Sequence, residues 1–386
     1  EFDRVHASKF IFSTHSAKVG IIILLGGLNA YTYKVNLSQP TITDVTDKEQ
    51  IKELMAMVSD WQLTFSFTDK TKLDWHWGAF YEGLIEAYKV TGDKRYFEEM
   101  MNIGEYYDWG LEEDILHADR LLICDIYAYL YEQTGRKNPE MMRSTDLAMN
   151  LHTSRKAKVD PRYKGAEYKY EWWSWCDALY MAAPTFYTYS NLTGDAAARD
   201  FAFNQWKVVS DYLYSEEDAL FYRDDRYFDA VSTNGGKVFW ARGNGWVMGA
   251  LTRILRDCPK DSDHYAYYEK MYRDMCAKFL ELQREEGLWT VSLLDPEELL
   301  RGESSGSGFY GFAFAWGVNN GILDESVYGP AAKKAWKALS HNVSQFGRLG
   351  YVQQVAGSPY PFYEYQAHTY ASGAFLLFAN EMLKME

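Results

Sequence analysis

Three tryptophans and one carboxylate fall within six residues in Trp172-Trp173-Ser174-Trp175-Cys176-Asp177, directly ahead of the apolar run Ala178-Leu179-Tyr180-Met181. Aromatic faces beside an acid suit a sugar, because rings stack on pyranose faces while the acid moves a proton. A desolvating aromatic wall also raises a carboxyl's pKa, so that it keeps a proton to donate. The competing explanation is a core of tryptophans with Asp177 as a helix N-cap. A second acid of the same kind is Asp119, in His117-Ala118-Asp119. Two acids in different surroundings can divide labour, one protonated and one ionised; each alone could be a cap. Arg242 lies between Trp240 and Trp246, and Gly243 and Gly245 let the backbone pass close to a ligand. An arginine there can fork onto a carboxylate or sulfate, or else stack structurally on a tryptophan. Trp77, Trp175, Trp240 and Trp246 are candidate sugar-binding rings. His117 is a weaker candidate, as are His76 and His368, since a histidine near a helix start often satisfies a backbone group.

These residues need a frame that gathers them. From Val45 onward the chain reads as helix pairs, with residues 46–62 as one helix and Trp77 to Val90 as the next. The second stops at Thr91-Gly92-Asp93, where glycine supplies a left-handed cap. The same ending recurs at Thr134-Gly135 and Thr193-Gly194-Asp195. Second helices follow at 94–107, 139–153 and 195–213, and looser pairs at 245–256 with 263–283 and 309–320 with 326–345. Tyr370 to Lys384 makes a last helix. Five to seven helical hairpins in one domain predict an all-α (α/α)6 barrel over residues 36–386, with a helical solenoid as the alternative. The unusual residues precede the helices at 74–78, 117–119, 172–177, 239–246, 303–308 and 364–368. A ring of hairpins would bring all of them to one end.

The chain has 386 residues, 47% of them hydrophobic, enough for a large core. Its 31 Tyr, 13 Trp and 21 Phe exceed what an ordinary core asks for and suit a groove for a polar ligand with apolar faces. A net charge of −14 argues against nucleic acid as a partner. Any anionic substrate must then be met by a few placed arginines. Cys124, Cys176, Cys258 and Cys276 show no metal-ligand spacing and read as buried free thiols. No HExxH, EF-hand, P-loop or GxGxxG pattern occurs, so no cofactor and no metal is expected. Residues 1–35 read as signal-like or of artificial origin. The apolar run Val19 to Ala30 follows a basic stretch and is too short to span a bilayer comfortably. The expectation is an exported, periplasmic or extracellular protein without stable membrane insertion, or a cytoplasmic one if that segment is extraneous. Residues 33–44 read as a linker.

With these residues placed, the chain resembles glycoside hydrolase family 105, the unsaturated rhamnogalacturonyl and uronyl hydrolases, with family 88 as a more distant relation. The resemblance runs through Trp175-Cys176-Asp177-Ala178-Leu179-Tyr180-Met181 and Trp240-Ala241-Arg242-Gly243-Asn244-Gly245-Trp246. It continues through His117-Ala118-Asp119, Tyr131-Glu132-Gln133-Thr134-Gly135 and, more weakly, Gly373-Ala374-Phe375-Leu376-Leu377. It implies an (α/α)6 barrel that acts on an unsaturated uronyl oligosaccharide by hydrating its C4=C5 double bond. Asp177 would be the general acid/base, Asp119 its partner on the sugar hydroxyls, and Trp175, Trp240, Arg242 and Trp246 the sugar-binding residues. One departure falls at Leu220-Phe221-Tyr222-Arg223, where members often carry a histidine. A permanent cation at Arg223 would meet the uronate carboxylate differently and points to an ulvan-type rather than a strictly rhamnogalacturonan substrate. Two other readings stand beside this one: an inverting glycosidase or sugar epimerase on the same barrel, and a non-catalytic glycan-binding helical protein.

Overall fold

A computed structural model describes residues 19–26, 29–36, 46–64, 72–155, 159–163 and 173–385. Two short strands, β1 (Val19–Gly26) and β2 (Asn29–Asn36), pair antiparallel. Residues 19–26 and 29–30 of the apolar run read as a signal segment and the first residues of the expected linker fall on these strands; residues 27–28 and 37–45 lie outside the described residues.

The helices follow as α1 (Lys48–Leu63), α2 (Trp75–Thr91), α3 (Lys94–Tyr106), α4 (Leu122–Gln133), α5 (Arg143–Thr153), α6 (Ala178–Met181) and α7 (Ala183–Thr193). Then come α8 (Ala196–Leu213), a small hairpin of β3 (Tyr214–Ser215) and β4 (Leu220–Phe221), α9 (Ala241–Asp257), α10 (Asp263–Leu282), α11 (Ser304–Asn319), α12 (Glu325–Ser340) and α13 (Thr369–Met382). Helices α2, α4, α7, α9, α11 and α13 pack side by side, and α13 returns to α2 to close the ring. Helices α1, α3, α5, α8, α10 and α12 form the outer layer, so the fold is the expected (α/α)6 barrel. Sequence decides which layer each helix joins. In α13 every residue from Thr369 to Met382 is buried, whereas α3 buries only Tyr96, Met100, Ile103 and Gly104. A helix apolar all round goes inside two layers; one with a single apolar stripe covers them.

The Thr-Gly-Asp endings work as a small machine. The hydroxyls of Thr91 and Thr193 donate to the carbonyls of Ala87 and Tyr189 at 2.7 and 2.8 Å, and accept the backbone N–H of Asp93 and Asp195. Gly92 and Gly194 take φ of 66° and 82°, which a side chain rarely tolerates. Asp93 and Asp195 then cap the next helix through Arg95 and Ala197 N–H. Each ending therefore stops an inner helix and starts the outer one.

Inner helices approach closely where side chains vanish. A Cβ on Gly83 of α2 would sit 2.6 Å from the Gly373 carbonyl oxygen of α13, and Gly245 of α9 meets the Gly306 backbone of α11. Arg242-Gly243-Asn244-Gly245-Trp246 and Ser304 to Gly308, expected to precede the helices, are accordingly first turns of α9 and α11. Their glycines serve helix packing rather than chain flexibility. The apolar run after Asp177 is broken at Ala182, because Pro184 has no N–H for a continuous helix.

The barrel axis carries a buried charge cluster. Arg253 reaches Glu82 Oε1 at 3.1 Å and contacts Asp125 Oδ2, while Thr185 donates to the same Asp125 oxygen at 2.9 Å. Burial, opposed by Arg253, pushes the Glu82 carboxyl up to about 7. Below it, toward the C-terminal ends of the inner helices, a cavity of about 710 Å³ opens. Its rim consists of paired ions such as Lys89–Glu86, Arg256–Asp257 and Lys384–Glu381. The candidate chemistry lies at the other end, where all six inner helices begin. No described helix is long and apolar enough to cross a membrane.

Candidate functional site

Asp177 stands at the start of α6 and makes no side-chain capping bond, so capping does not explain the acid. Its Oδ2 lies 3.4 Å from Arg223 Nε and accepts the Cys176 thiol at 3.5 Å. The residue is buried, and desolvation holds its carboxyl above the ordinary range against the opposing charges of Arg223 and Arg242.

Asp119 sits in a single 3-10 turn, Ala118–Arg120. Burial first, and then the negative charges of Asp74 and Asp177, push its carboxyl up to about 7. With 21% of its side chain exposed it still reaches solvent, and hence a ligand. The two predicted acids therefore share one electrostatic environment with Asp74, Arg120 and Arg223. Asp74 caps α2 through the Trp75 N–H at 2.9 Å and accepts Arg120 Nη1 at 2.9 Å, and Arg120 also contacts Glu112. Asp74 belongs to the stretch 74–78 picked out in the sequence, whereas Glu112 and Arg120 carry no such signal there.

His117 does what the modest reading of a histidine near a helix start allows. Its Nδ1 accepts the Asp119 N–H at 3.1 Å, which leaves the ring proton on Nε2. Burial and the Arg120 charge push its pKa down to about 4, so the ring is neutral. It packs against Trp175 at 5.3 Å between centroids, placing a neutral imidazole and an indole beside the two acids. His76 and His368 meet elsewhere at the mouth, 5.1 Å apart, each within hydrogen-bond distance of Thr369 Oγ1.

Arg223 reaches Asp177 through a chain of local constraints. The Cys176 N–H donates to the Arg223 carbonyl at 2.8 Å, tying the two backbones together. Asn244 holds the preceding strand, accepting from Phe221 N–H at 2.8 Å and donating to its carbonyl at 2.9 Å. Asp224, fully buried, accepts Arg223 Nη1 at 2.6 Å and Arg226 Nε at 2.8 Å. It is the strut that braces two arginines. These bonds hold its carboxyl below the usual range despite burial.

Arg242 corrects the reading of a ligand fork. Its guanidinium is sandwiched between the Trp240 and Tyr370 rings, at 4.5 and 4.7 Å. Its terminal nitrogens donate to the carbonyls of Gln353 and Gln354 at 2.6 and 2.8 Å. Trp240 Nε1 donates to Gln353 Oε1 at 2.7 Å. Both residues fasten the segment 350–368 across the mouth, and the fork is occupied by backbone. Gly243 is small for a related reason, since a Cβ there would meet Cys176 Sγ at 3.1 Å.

The tryptophans also need correction as stacking faces. Trp77, Trp240 and Trp246 expose 1% of their surface and Trp175 3%, so none offers an open ring face. Trp246 packs on Tyr180 and Phe309, and Trp77 on Tyr81. They build the floor beneath the acids, as large apolar rings in a two-layer barrel must. The half-buried Trp75, stacked on Tyr370 at 5.5 Å, lies closer to the surface. Residues 164–172, with Trp172, fall outside the described residues. Among the described residues, no group of three His, Cys, Asp or Glu is placed to hold a metal ion.

The family model for Glycosyl Hydrolase Family 88 matches residues 42–386. A protein of Formosa agariphila named unsaturated 3S-rhamnoglycuronyl hydrolase is 38% identical over 347 residues, covering 87% of this chain and 91% of the relative. A solved family 88 glycosyl hydrolase from Bacteroides vulgatus superposes with a TM-score of 0.78 at 26% identity, over 87% of this chain and 99% of that one. A solved protein named a polysaccharide lyase does so equally, with a TM-score of 0.78 at 28% identity, over 87% and 97%. Solved members of family 105 share the fold at lower identity.

Proposed function

The chain belongs to Glycosyl Hydrolase Family 88 and is a glycoside hydrolase, and from that premise we propose that it removes a terminal 4,5-unsaturated uronic acid by hydrating the C4=C5 bond. The observation that carries this reading is Asp177, a buried carboxyl inclined to hold a proton, free of any capping duty and 3.4 Å from Arg223. The order of the Trp-x-Asp and Arg-Gly-Asn-Gly-Trp elements supports a finer kinship with family 105-type members within this group.

Hydration needs a proton at C4 and a water at C5. Asp177, protonated, gives its proton to C4 of the vinyl ether, and positive charge develops at C5 and the ring oxygen. Water adds at C5, and the carboxylate left on Asp177 takes the proton that this water releases. The resulting hemiketal opens, the anomeric carbon loses its alkoxy group, and the neighbouring sugar departs. Because the leaving group departs from a rearranging hydrate, the distance between two carboxylates does not set the stereochemistry as in ordinary glycosidases. Asp119, half-protonated near neutrality, binds the sugar hydroxyls and keeps negative charge close to the developing cation. Arg223, braced by Asp224, meets the uronate carboxylate as a permanent cation. Six inner-helix N-termini at this end add positive potential for the anion. Arg242, Trp240, Trp246 and Trp77 act from behind by fixing the mouth and its floor, and Trp175 backs His117, whose neutral ring borders the reacting sugar. The name of the Formosa relative, together with the fixed cation at Arg223, supports a sulfated, rhamnose-containing polysaccharide of the ulvan type as the source of the substrate.

The test is ultraviolet absorbance of the conjugated double bond. Unsaturated disaccharides made by lyases from ulvan, rhamnogalacturonan and glycosaminoglycan are each incubated with the protein, and loss of absorbance is expected with the ulvan product. Rising absorbance on intact polymer would instead reveal a lyase. Turnover of saturated glycosides without absorbance change would reveal an ordinary glycosidase. A further outcome follows from the charge beside Asp177. The Arg223 guanidinium lowers the Asp177 pKa, so Arg223→Gln raises it, and the acid form persists to higher pH. The basic limb of the kcat/KM profile therefore moves to higher pH in this variant while KM rises; an unmoved limb would uncouple Arg223 from the acid.

A further inference from the structure

We propose that the turn at Tyr363–Gln366 is a distal saccharide-binding platform, which stacks sugar units beyond the bond being broken; this rests on the saccharide reading above. The segment 350–368 is placed against the catalytic mouth, since a Cβ built on Gly357 would lie 3.7 Å from the Arg223 guanidinium carbon. It is also held rigid from inside. Besides the Arg242 and Trp240 bonds, Val352 N–H donates to Gln366 O at 3.1 Å and Gln354 Nε2 to Ala367 O at 3.3 Å. Gln366 closes the tip twice, its N–H donating to Tyr363 O at 3.1 Å and its side-chain oxygen accepting Tyr363 N–H at 2.8 Å.

On this fixed frame two large rings face water. Tyr363 and Tyr365 are 55% and 66% exposed, and their planes are parallel within 2° at 5.8 Å between centroids. A tyrosine offers an apolar face with a polar tip at small entropic cost, which matches a pyranose whose C–H face is apolar and whose rim is hydroxylated. The buried tryptophans cannot supply such a face, whereas the two tyrosines of the turn can. Arg301 lies 3.5 Å over the ring of Tyr351, whose N–H donates to the carbonyl of Glu364 within the turn, so a cation stands beside the exposed carboxylate of the turn. Tyr363 lies six positions after Gly357, so at ~3.5 Å per extended residue the platform lies within about 21 Å of the mouth. That is within reach of a short oligosaccharide.

The experiment compares unsaturated di- and tetrasaccharides from ulvan lyase digestion. Affinities are measured by calorimetry on the Asp177→Asn background, with and without Tyr363→Ala and Tyr365→Ala together. The expected result is about tenfold tighter binding of the tetrasaccharide, a factor equal to ~1.4 kcal/mol, which the paired substitution reduces to about one. In the active protein the ratio of kcat/KM for the two substrates falls in the same way. Equal affinities at the outset, or a preference that survives both substitutions, would overturn the proposal. So would a mass that drops from dimer to monomer in the variant while the sugar preference stays unchanged, because the rings would then serve self-association. Failure of the uronyl hydrolase reading shows separately, as absent turnover of the disaccharide by the otherwise unsubstituted protein.

Discussion

Asp177→Asn is expected to lower kcat/KM by about 10²–10⁴-fold, the range that a positioned acid/base contributes, while leaving the fold at least as stable. The amide keeps the shape of the carboxyl but has no acidic proton to give to C4. The stability half of the result follows from the sign of the pKa shift. The folded-state pKa of Asp177 is raised, so the stability it contributes is present below the ordinary carboxylate pKa and is lost as pH rises through the folded value. A neutral isostere escapes that loss at neutral pH. Arg223 is not abandoned by the change, because Asp224 still accepts its Nη1 at 2.6 Å. Chemical denaturation at pH 7.5 alongside initial rates checks both halves. A variant that loses stability in step with activity would return Asp177 to a structural role.

Arg242→Met is expected to destabilise the protein by about 2–4 kcal/mol and to reduce turnover on every substrate. The guanidinium bonds the Gln353 and Gln354 carbonyls. Hydrogen bonds to a charged group contribute about 1.5–3 kcal/mol. The sandwich between Trp240 and Tyr370 adds ~1 kcal/mol or more where water is excluded. Removal of a buried charge gives part of this back, which sets the lower end. Tyr370 OH still donates to the Gln353 carbonyl at 2.6 Å, so the orphan is the Gln354 carbonyl, on the way to the turn that carries Tyr363. Arg242→Lys should not rescue, since a single ammonium cannot reproduce the planar fork. Denaturant midpoints decide the matter. Unchanged stability with a raised KM alone would mean that Arg242 contacts substrate directly.

Much of the barrel was legible because its signals are local. Thr-Gly-Asp endings, acidic caps and the difference between all-apolar and striped helices are all written within a few consecutive residues. Asp177 could be singled out because an acid beside tryptophans at a helix start is chemically unusual, and Asp119 as a second acid near the start of a neighbouring inner helix. What stayed hidden depends on partners far away in the chain. Arg242 finds its acceptors 111 and 112 residues later, and residue type alone does not distinguish a fork aimed at a ligand from one aimed at a carbonyl. Trp77 and Trp246 are of the type that stacks on sugars, yet the double layer of helices covers both. Asp224 carries no local signal in the sequence, because its role comes from Arg223 and Arg226 folding onto it. The Arg-Gly-Asn-Gly-Trp element looked like a turn by its glycines; the neighbouring backbone of Gly306 explains why glycine is needed there inside a helix.

The central claim is that a proton from Asp177 goes to C4. Turnover of the unsaturated disaccharide in D₂O, followed by proton NMR at early times, tests it most directly. One deuteron is expected at C4 of the ring-opened product, delivered to a single face, with release of the neighbouring sugar at the same rate. Release of a uronic acid with its double bond intact and no deuterium at C4 would contradict it.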